Sequence, residues 1–401
     1  MSTLLNKPRA QRIMEQEGLD GLLGASFENV LYLSNLWSEN FFVLPRQTQV
    51  FAIVSRAKLD RPHVVAGVGE AANIFESCPR GTPVYLYGLH VRYVSKEKPL
   101  EEIEQYVKQH VVDGKRFANV VDATVAAVEA AGLSGGKIAY DERVMFPDTM
   151  AELRHRLGRA TLVPGYQTFR RIRAVKTAEE LRRLKKALAL TEQAIQAAMS
   201  VAKVGVTEQE MIEEFERTIV SAGAKPVFTQ LVFGRRGGMG NVMKRDVKLA
   251  AGDIIRFDVG CMVEGYNSDI ARNFTLEEPS AETRRLYNAV LHGEEVAAAA
   301  LRPGVTAREV FETGVKAIRE AGIPDYRRHH IGHGIGLETY DIPTLMPSDE
   351  TPIETGMVFE VETPYYTLGY AGLQPEDTVL VTESGGQFLN SISRQLEVWH
   401  S

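Results

Sequence analysis

Cysteine is nearly missing: Cys78 and Cys261 are the two in 401 residues. Two thiols cannot staple a chain of this length, and in a reducing compartment they read as small buried hydrophobes and not as a metal pair. Long apolar runs are missing too. No stretch approaches the ~20 apolar residues that cross a bilayer, and the N-terminal MSTLLNKPRAQRIMEQEG runs into charge after two leucines, without the apolar segment of a secretory signal. The expectation is a cytoplasmic protein with no membrane partner. Positive charge is not in excess. Lys+Arg 46 against Asp+Glu 52 leave a net −6 and a pI near 5.9, which offers nucleic acid no electrostatic footprint. The densest basic run, RRLKKAL at 182–188, lies on a helical pattern and reads as a solvated face. A phosphate loop is absent as well, because GRRGGMG at 234–240 lacks the following Lys-Ser/Thr.

What is present is the composition of a globular chain, 44% apolar and 24% charged, long enough for two domains. The first ~165 residues alternate helical stretches with short apolar runs (DGLLGAS, VLYLSNL, QVFAIVS, HVVAGV, PVYLYG), the pattern of a small α/β domain. The pattern changes around FRRIRAVK. At Thr177 a capping box with Glu180 opens a long helix running to about Lys203. These signals place one domain over 1–168, a linker over 169–176 and a second domain over 177–401.

The second domain contains an echo of itself. GVTEQEMIEEFERTIVSAG (205–223) and GVTAREVFETGVKAIREAG (304–322) share Gly-Val-Thr, a Glu three residues after the Thr, an amphipathic helix and an Ala-Gly ending. Each is followed by a glycine-rich segment and then by a turn glycine with an acid six residues beyond it: Gly252 and Asp258, Gly356 and Glu362. Two similar αβ halves are implied, bringing their acids to one place. IIRFDVGCMVEGYNSDIARNFTL reads as a hairpin turning near Val263-Glu264-Gly265, which sets Asp258 across from Asp269. Glu362 and Glu376 repeat the device on the next pair of strands.

Carboxylates held ~5 Å apart repel unless something positive lies between them. Between the two acid pairs stands HHIGHGIGLETYD (329–341). His333 is the candidate ligand because its flanking glycines allow the backbone to pack closely. His329 is expected to line the same pocket, and His330 to point elsewhere. Four carboxylates and one imidazole suit two divalent ions, with manganese, cobalt, iron and zinc all admissible. Two such ions ~3.5–4 Å apart lower the pKa of a shared water and clamp a developing oxyanion, so hydrolysis is the chemistry suggested.

DVG with Asp258, SDIAR with Asp269, GHGIG with His333, VETP with Glu362 and PEDTVLV with Glu376 resemble the pita-bread metallopeptidases: prolidase, aminopeptidase P and creatinase relatives. The intervals of 11, 64, 29 and 14 residues are similar to those of prolidases. The resemblance implies an α/β (α+β) fold, with a creatinase-type N-terminal domain before a pita-bread catalytic domain of two pseudo-symmetric halves. It further implies that Asp258, Asp269, His333, Glu362 and Glu376 hold two metal ions, manganese first among them. Asp269 and Glu376 would bridge the ions, and Glu362 would also serve as general base. A homodimer acting on a dipeptide or similar small molecule is implied too, with the aromatic stretch LWSENFF (36–42) as a candidate pocket wall or, in a plainer reading, a hydrophobic interface or core.

The chain departs from the family pattern at three places. Tyr340, seven residues after His333, and Asn241, seventeen before Asp258, stand where such peptidases usually carry histidines. Gln374, two residues before Glu376, replaces a common arginine, which takes a positive charge away from the metals. All five ligand positions are kept. Tyr340 and Asn241 are expected to orient or stabilise the tetrahedral oxygen in place of histidines. Arg235, Arg236, Arg327 and Arg328 flank the glycine-rich segments as candidate receivers of a substrate carboxylate. Xaa-Pro dipeptidase is the default activity. The alternatives are changed chemistry on the same fold, such as a non-proline amidohydrolase or a dimethylsulfoniopropionate-type lyase, and a binding scaffold that has lost its ligands.

Overall fold

Four of the five apolar runs near the N-terminus form strands in the computed structural model, which describes residues 4–399. They are β1 (Gly21–Gly24), β2 (Phe51–Ser55), β3 (Lys58–Gly67) and β4 (Val84–Tyr87). The fifth, VLYLSNL, belongs to a helix over Phe27–Ser34. Its caps decide this: Ser26 Oγ accepts from the Asn29 amide at 3.2 Å, and Asn35 closes the helix at a left-handed φ of 61°. With β5 (Lys137–Tyr140) and β6 (Thr161–Pro164) the strands form one mixed sheet in the order β4-β3-β2-β1-β5-β6.

The chain divides between Arg173 and Ala174 into two compact units. The helix Tyr166–Arg173 therefore ends the first unit, and residues 174–176 already belong to the second. Among the described residues no helix is long and apolar enough to cross a membrane. Both cysteines are free and buried.

The second unit shows the repeat in its backbone. The helices Glu208–Ser221 and Ala307–Glu320 are each 14 residues long. Each opens on a reciprocal capping box: Thr207 and Thr306 accept from the Glu210 and Glu309 amides at 3.2 Å, while those glutamates accept from the threonine amides at 2.8 Å. The paired glycines also match, with φ of 93° and 90° at Gly205 and Gly304, then 78° and 87° at Gly252 and Gly356. Only glycine adopts such angles without strain. Each half has its own core, around Phe215, Phe233 and Phe257 in one and Tyr287, Ile318 and Phe359 in the other.

Both cores take residues from one sheet, built from β7 (Lys225–Phe233), β8 (Ile254–Val263), β9 (Tyr266–Asn267), β10 (Ile270–Thr275), β11 (Gly332–Gly334), β12 (Asp341–Thr344) and β13 (Val358–Glu362), with β14 (Tyr365–Thr367) and β15 (Ala371–Leu373) forming a separate hairpin. It is completed by β16 (Glu376–Thr382), β17 (Gly385–Phe388) and β18 (Glu397–Val398), and its main order is β12-β11-β13-β16-β10-β8-β7.

The register corrects one expectation. The β8–β9 turn is the two-residue pair Glu264-Gly265, at φ of 51° and 88°, so Val263 faces Tyr266 and Asp258 faces Ala271. Asp269 lies two residues before Ala271 and is thus a diagonal neighbour of Asp258 on the same face, not its direct partner. The second acid pair is direct: Glu362 faces Glu376. Since Ala271 also faces Glu376, Asp258, Ala271, Glu376 and Glu362 form one rung across four adjacent strands.

Candidate metal centre

That rung fixes the site, because residues directly opposite in a sheet point to the same side. Asp258, Glu376 and Glu362 project together, and Asp269 joins them from the turn into β10. His333 enters from β11, where it faces Glu360, two residues before Glu362. A side chain at Gly332 would lie 2.3 Å from the Glu360 carbonyl oxygen, and one at Gly334 would lie 2.6 Å from that of Ile342. The glycines of GHG are what let the histidine strand lie flush between its neighbours.

Asp269, His333 and Glu376 form the tightest set, each offering one ligand atom within 4.8 Å of the others. His333 Nε2 is 3.9 Å from Asp269 Oδ2. The imidazole is wholly buried, and its Nδ1 lies 3.0 Å from the Gly334 carbonyl. Only an N–H can face a carbonyl, so the Nε2 lone pair is turned to the acids. Burial pushes this imidazole down to about 4, keeping it in the neutral, ligating form. Burial and neighbouring carboxylates push Asp269 and Glu376 well above the usual range, and burial foremost lifts Glu362 to about 7. His333 Nε2 and Asp269 Oδ1 are buried atoms with no hydrogen-bond partner. A neutral imidazole with its lone pair orphaned among mutually repelling carboxylates fits a divalent cation, and the oxygen-rich donor set suits a hard one.

A cleft of about 280 Å³ opens over these acids, with Asp258, Asp269, Glu362 and Glu376 in its wall together with Asn241, His329, His330 and Tyr340. His330 does not point away as expected: it is buried, with Nδ1 3.1 Å from Glu362 Oε1. Strand alternation does not apply to it, because β11 begins only at Gly332. Asn241 sits exposed at the rim. Tyr340 is half-exposed and lies flat on His333, ring centroids 3.6 Å apart and planes 20° from parallel. Burial foremost, and then the surrounding carboxylates, raise its phenol above the ordinary value, so it stays a hydrogen-bond donor at neutral pH.

Of the four candidate arginines only Arg328 reaches the cleft, with Nη2 3.4 Å from Glu362 Oε2. Arg236 is committed to Glu208 at 3.1 Å, Arg327 is exposed, and Arg235 lines a different hollow. The glycine run beside them serves packing: a Cβ on Gly237 would lie 2.7 Å from the Gly372 amide, and one on Gly238 2.3 Å from the Thr367 carbonyl oxygen.

Arg256 was missed from sequence. Its guanidinium is 1% exposed and stands 3.3 Å from Asp258 Oδ2, within hydrogen-bonding distance of Gln374, so the positive charge that Gln374 lacks is supplied from β8. An arginine two residues before a candidate ligand, inside the apolar strand IIRFDVG, was the signal available.

A model of metallopeptidase family M24 matches residues 182–383. The chain belongs to this family. Among M24 relatives, the Xaa-Pro dipeptidase of Pyrococcus furiosus is 34% identical over 227 residues, 56% of this chain; the chain spans 65% of that relative's length. The dipeptidase PepE of Mycobacterium ulcerans has the same fold at a TM-score of 0.77 and 26% identity, with 98% of this chain and 96% of that one covered. The Xaa-Pro dipeptidase of Bacillus anthracis matches at a TM-score of 0.78 and 22% identity, with 98% of both chains covered, a likeness that speaks to the fold. The expected pita-bread architecture with its N-terminal α/β domain is therefore that of an M24 protein.

Proposed function

We propose that this chain is a metal-dependent dipeptidase acting on Xaa-Pro dipeptides, with two divalent ions, manganese first among them, held by Asp258, Asp269, His333, Glu362 and Glu376. The observation that carries the reading is the rung of acids closed by a neutral His333 whose buried Nε2 has no partner. The Xaa-Pro dipeptidase among the relatives supports the substrate class. When bound, the ions supply Lewis acidity and a water of lowered pKa. The chain's own groups do the rest. Glu362, in the cleft wall beside the other acids, takes and returns the proton. Arg328 beside it receives the substrate carboxylate, while the Tyr340 hydroxyl and the Asn241 amide, both in the cleft wall, donate to the amide oxygen. The cleft is at the small end of the ~300–1,000 Å³ typical of small-molecule pockets, a size suited to a dipeptide.

We place the enzyme in the cytoplasm, where Cys78 and Cys261 stay reduced, and as a homodimer. A second reading, another amide or an elimination on the same fold, draws on Tyr340: stacked on His333, it shuttles protons poorly. The deciding experiment is proline release from Ala-Pro and Gly-Pro by chelator-stripped protein with and without manganese. Manganese-dependent release supports the first reading. Ion binding without proline release overturns it in favour of the second.

A further inference from the structure

Gln374 has an amide whose orientation is dictated on all sides. Its Oε1 accepts from Arg256 Nη1 at 2.5 Å and from the Tyr366 hydroxyl at 2.7 Å. Its Nε2 donates to Asp258 Oδ2 and to Glu376 Oε2, both at 3.2 Å. Turning the amide over would set N–H against two donors and a carbonyl oxygen against two carboxylates. The backbone is fixed as well, since the Gln374 amide donates to Asn273 Oδ1 at 2.7 Å and Asn273 Nδ2 donates to the Gly372 carbonyl at 3.0 Å.

Arg256 is held with equal care. Nη1 also reaches Asp258 Oδ2 at 3.3 Å and the Tyr366 hydroxyl at 3.2 Å, Nη2 donates to the Gly240 carbonyl at 3.3 Å, and the guanidinium carbon lies 5.2 Å from the Tyr366 ring centre. A side chain at Gly372 would come within 3.2 Å of Arg256 Cδ, so the glycine leaves the channel through which the arginine stem runs. At 1% exposure this cation is almost wholly covered where it borders the cleft, and its hydrogen bonds go to Gln374 and Asp258 and to Tyr366 and Gly240. It acts through Gln374 and Asp258.

We infer that Arg256, Tyr366 and Gln374 are positioning residues that lock a doubly donating amide between the carboxylates of Asp258 and Glu376, and so set the affinity of the ion position those two acids share. The inference rests on the proposed reading of these acids as metal ligands. The Gln374 amide holds one oxygen of each carboxylate in place, with Arg256 adding a second donor on Asp258 Oδ2, and losses of such support typically cost 10–100-fold in metal affinity.

The test is a calorimetric titration of manganese into chelator-stripped full-length wild type, Gln374→Leu, Arg256→Met, Tyr366→Phe and the exchange variant Arg256→Met/Gln374→Arg. Circular dichroism checks that each is folded. Tyr366→Phe keeps the ring and removes one donor, so it remains informative if the arginine variant does not fold. The expected result is two binding steps in the wild type, with one step weakened at least about tenfold in Gln374→Leu and Arg256→Met and less in Tyr366→Phe, the other step unmoved. The exchange variant, which returns a cation to the same spot from the other strand, is expected to recover part of the loss. Equal weakening of both steps, or wild-type affinity in both Gln374→Leu and Tyr366→Phe, overturns the inference. Wild type that takes up no ion overturns the underlying reading together with it.

Discussion

Replacing Glu362 with glutamine separates the cost of a buried acid from its use. Burial is the first cause that lifts Glu362 from 4.5 to about 7, with the Asp258 charge adding and the Arg328 charge opposing. The folded, metal-free chain holds this proton more tightly than the unfolded chain does. Stability is therefore lost as pH rises from about 4.5 through about 7 and levels off above that. Between pH 5.5 and 8.5 the wild type crosses roughly 1.5 units of that window, or about 2 kcal/mol at ~1.4 kcal/mol per unit. Glutamine does not ionise and escapes this loss. In chelator, the stability of Glu362→Gln relative to wild type is expected to rise by about 2 kcal/mol between these two pH values, whatever the constant effect of losing the Arg328 contact. Urea unfolding followed by Trp399 fluorescence in a Trp37→Phe background reports on the second unit, since Trp399 packs edge-on to Phe274 with ring centres 6.2 Å apart. A difference that is constant with pH, or that shifts in favour of the wild type as pH rises, refutes the assignment of Glu362 as a strained acid. In saturating manganese the order is expected to reverse, because only the wild type keeps the full ligand set.

Manganese affinity itself is expected to climb from pH 5.5 to 7.5 with proton release, since Asp269, Glu376 and Glu362 all hold protons above the usual carboxylate range; titrations in buffers of different ionisation enthalpy count those protons. Thr207→Ala and Thr306→Ala are each expected to cost about 1 kcal/mol, additively, if the two capping boxes are equivalent parts of a repeat; chemical denaturation of the single and double variants measures this. Arg272 is fully buried against Asp377, with the Glu294 carboxyl nearby. Arg272→Met is expected to cost about 3–5 kcal/mol, whereas joint replacement of Arg272 and Asp377 by apolar residues is expected to cost much less, again read by denaturation.

Much of the site was legible because its chemistry is written in local spacing. The capping boxes, the turn glycines and the acids six residues beyond them recur twice, and a β-strand turns such spacing directly into a shared face. The hairpin register was off by two because the turn uses the pair Glu264-Gly265, both at positive φ, a choice that a glycine-centred reading does not separate from its neighbours. VLYLSNL carries the residues of a strand, yet the Ser26 and Asn35 caps make it a helix. His330 and Arg256 were lost for a different reason. Their roles depend on which strands lie side by side, and no window of sequence shows that Gln374 and Asp258 meet.

The number of ions held by the rung of acids decides whether this is a dinuclear metal centre. Chelator-stripped wild type and Glu376→Gln, each dialysed against manganese and analysed for bound metal, answer that. Two equivalents per chain in the wild type, with loading lost in Glu376→Gln, are expected. A wild type that retains none, or a Glu376→Gln variant that loads fully, contradicts the metal centre proposed for this chain.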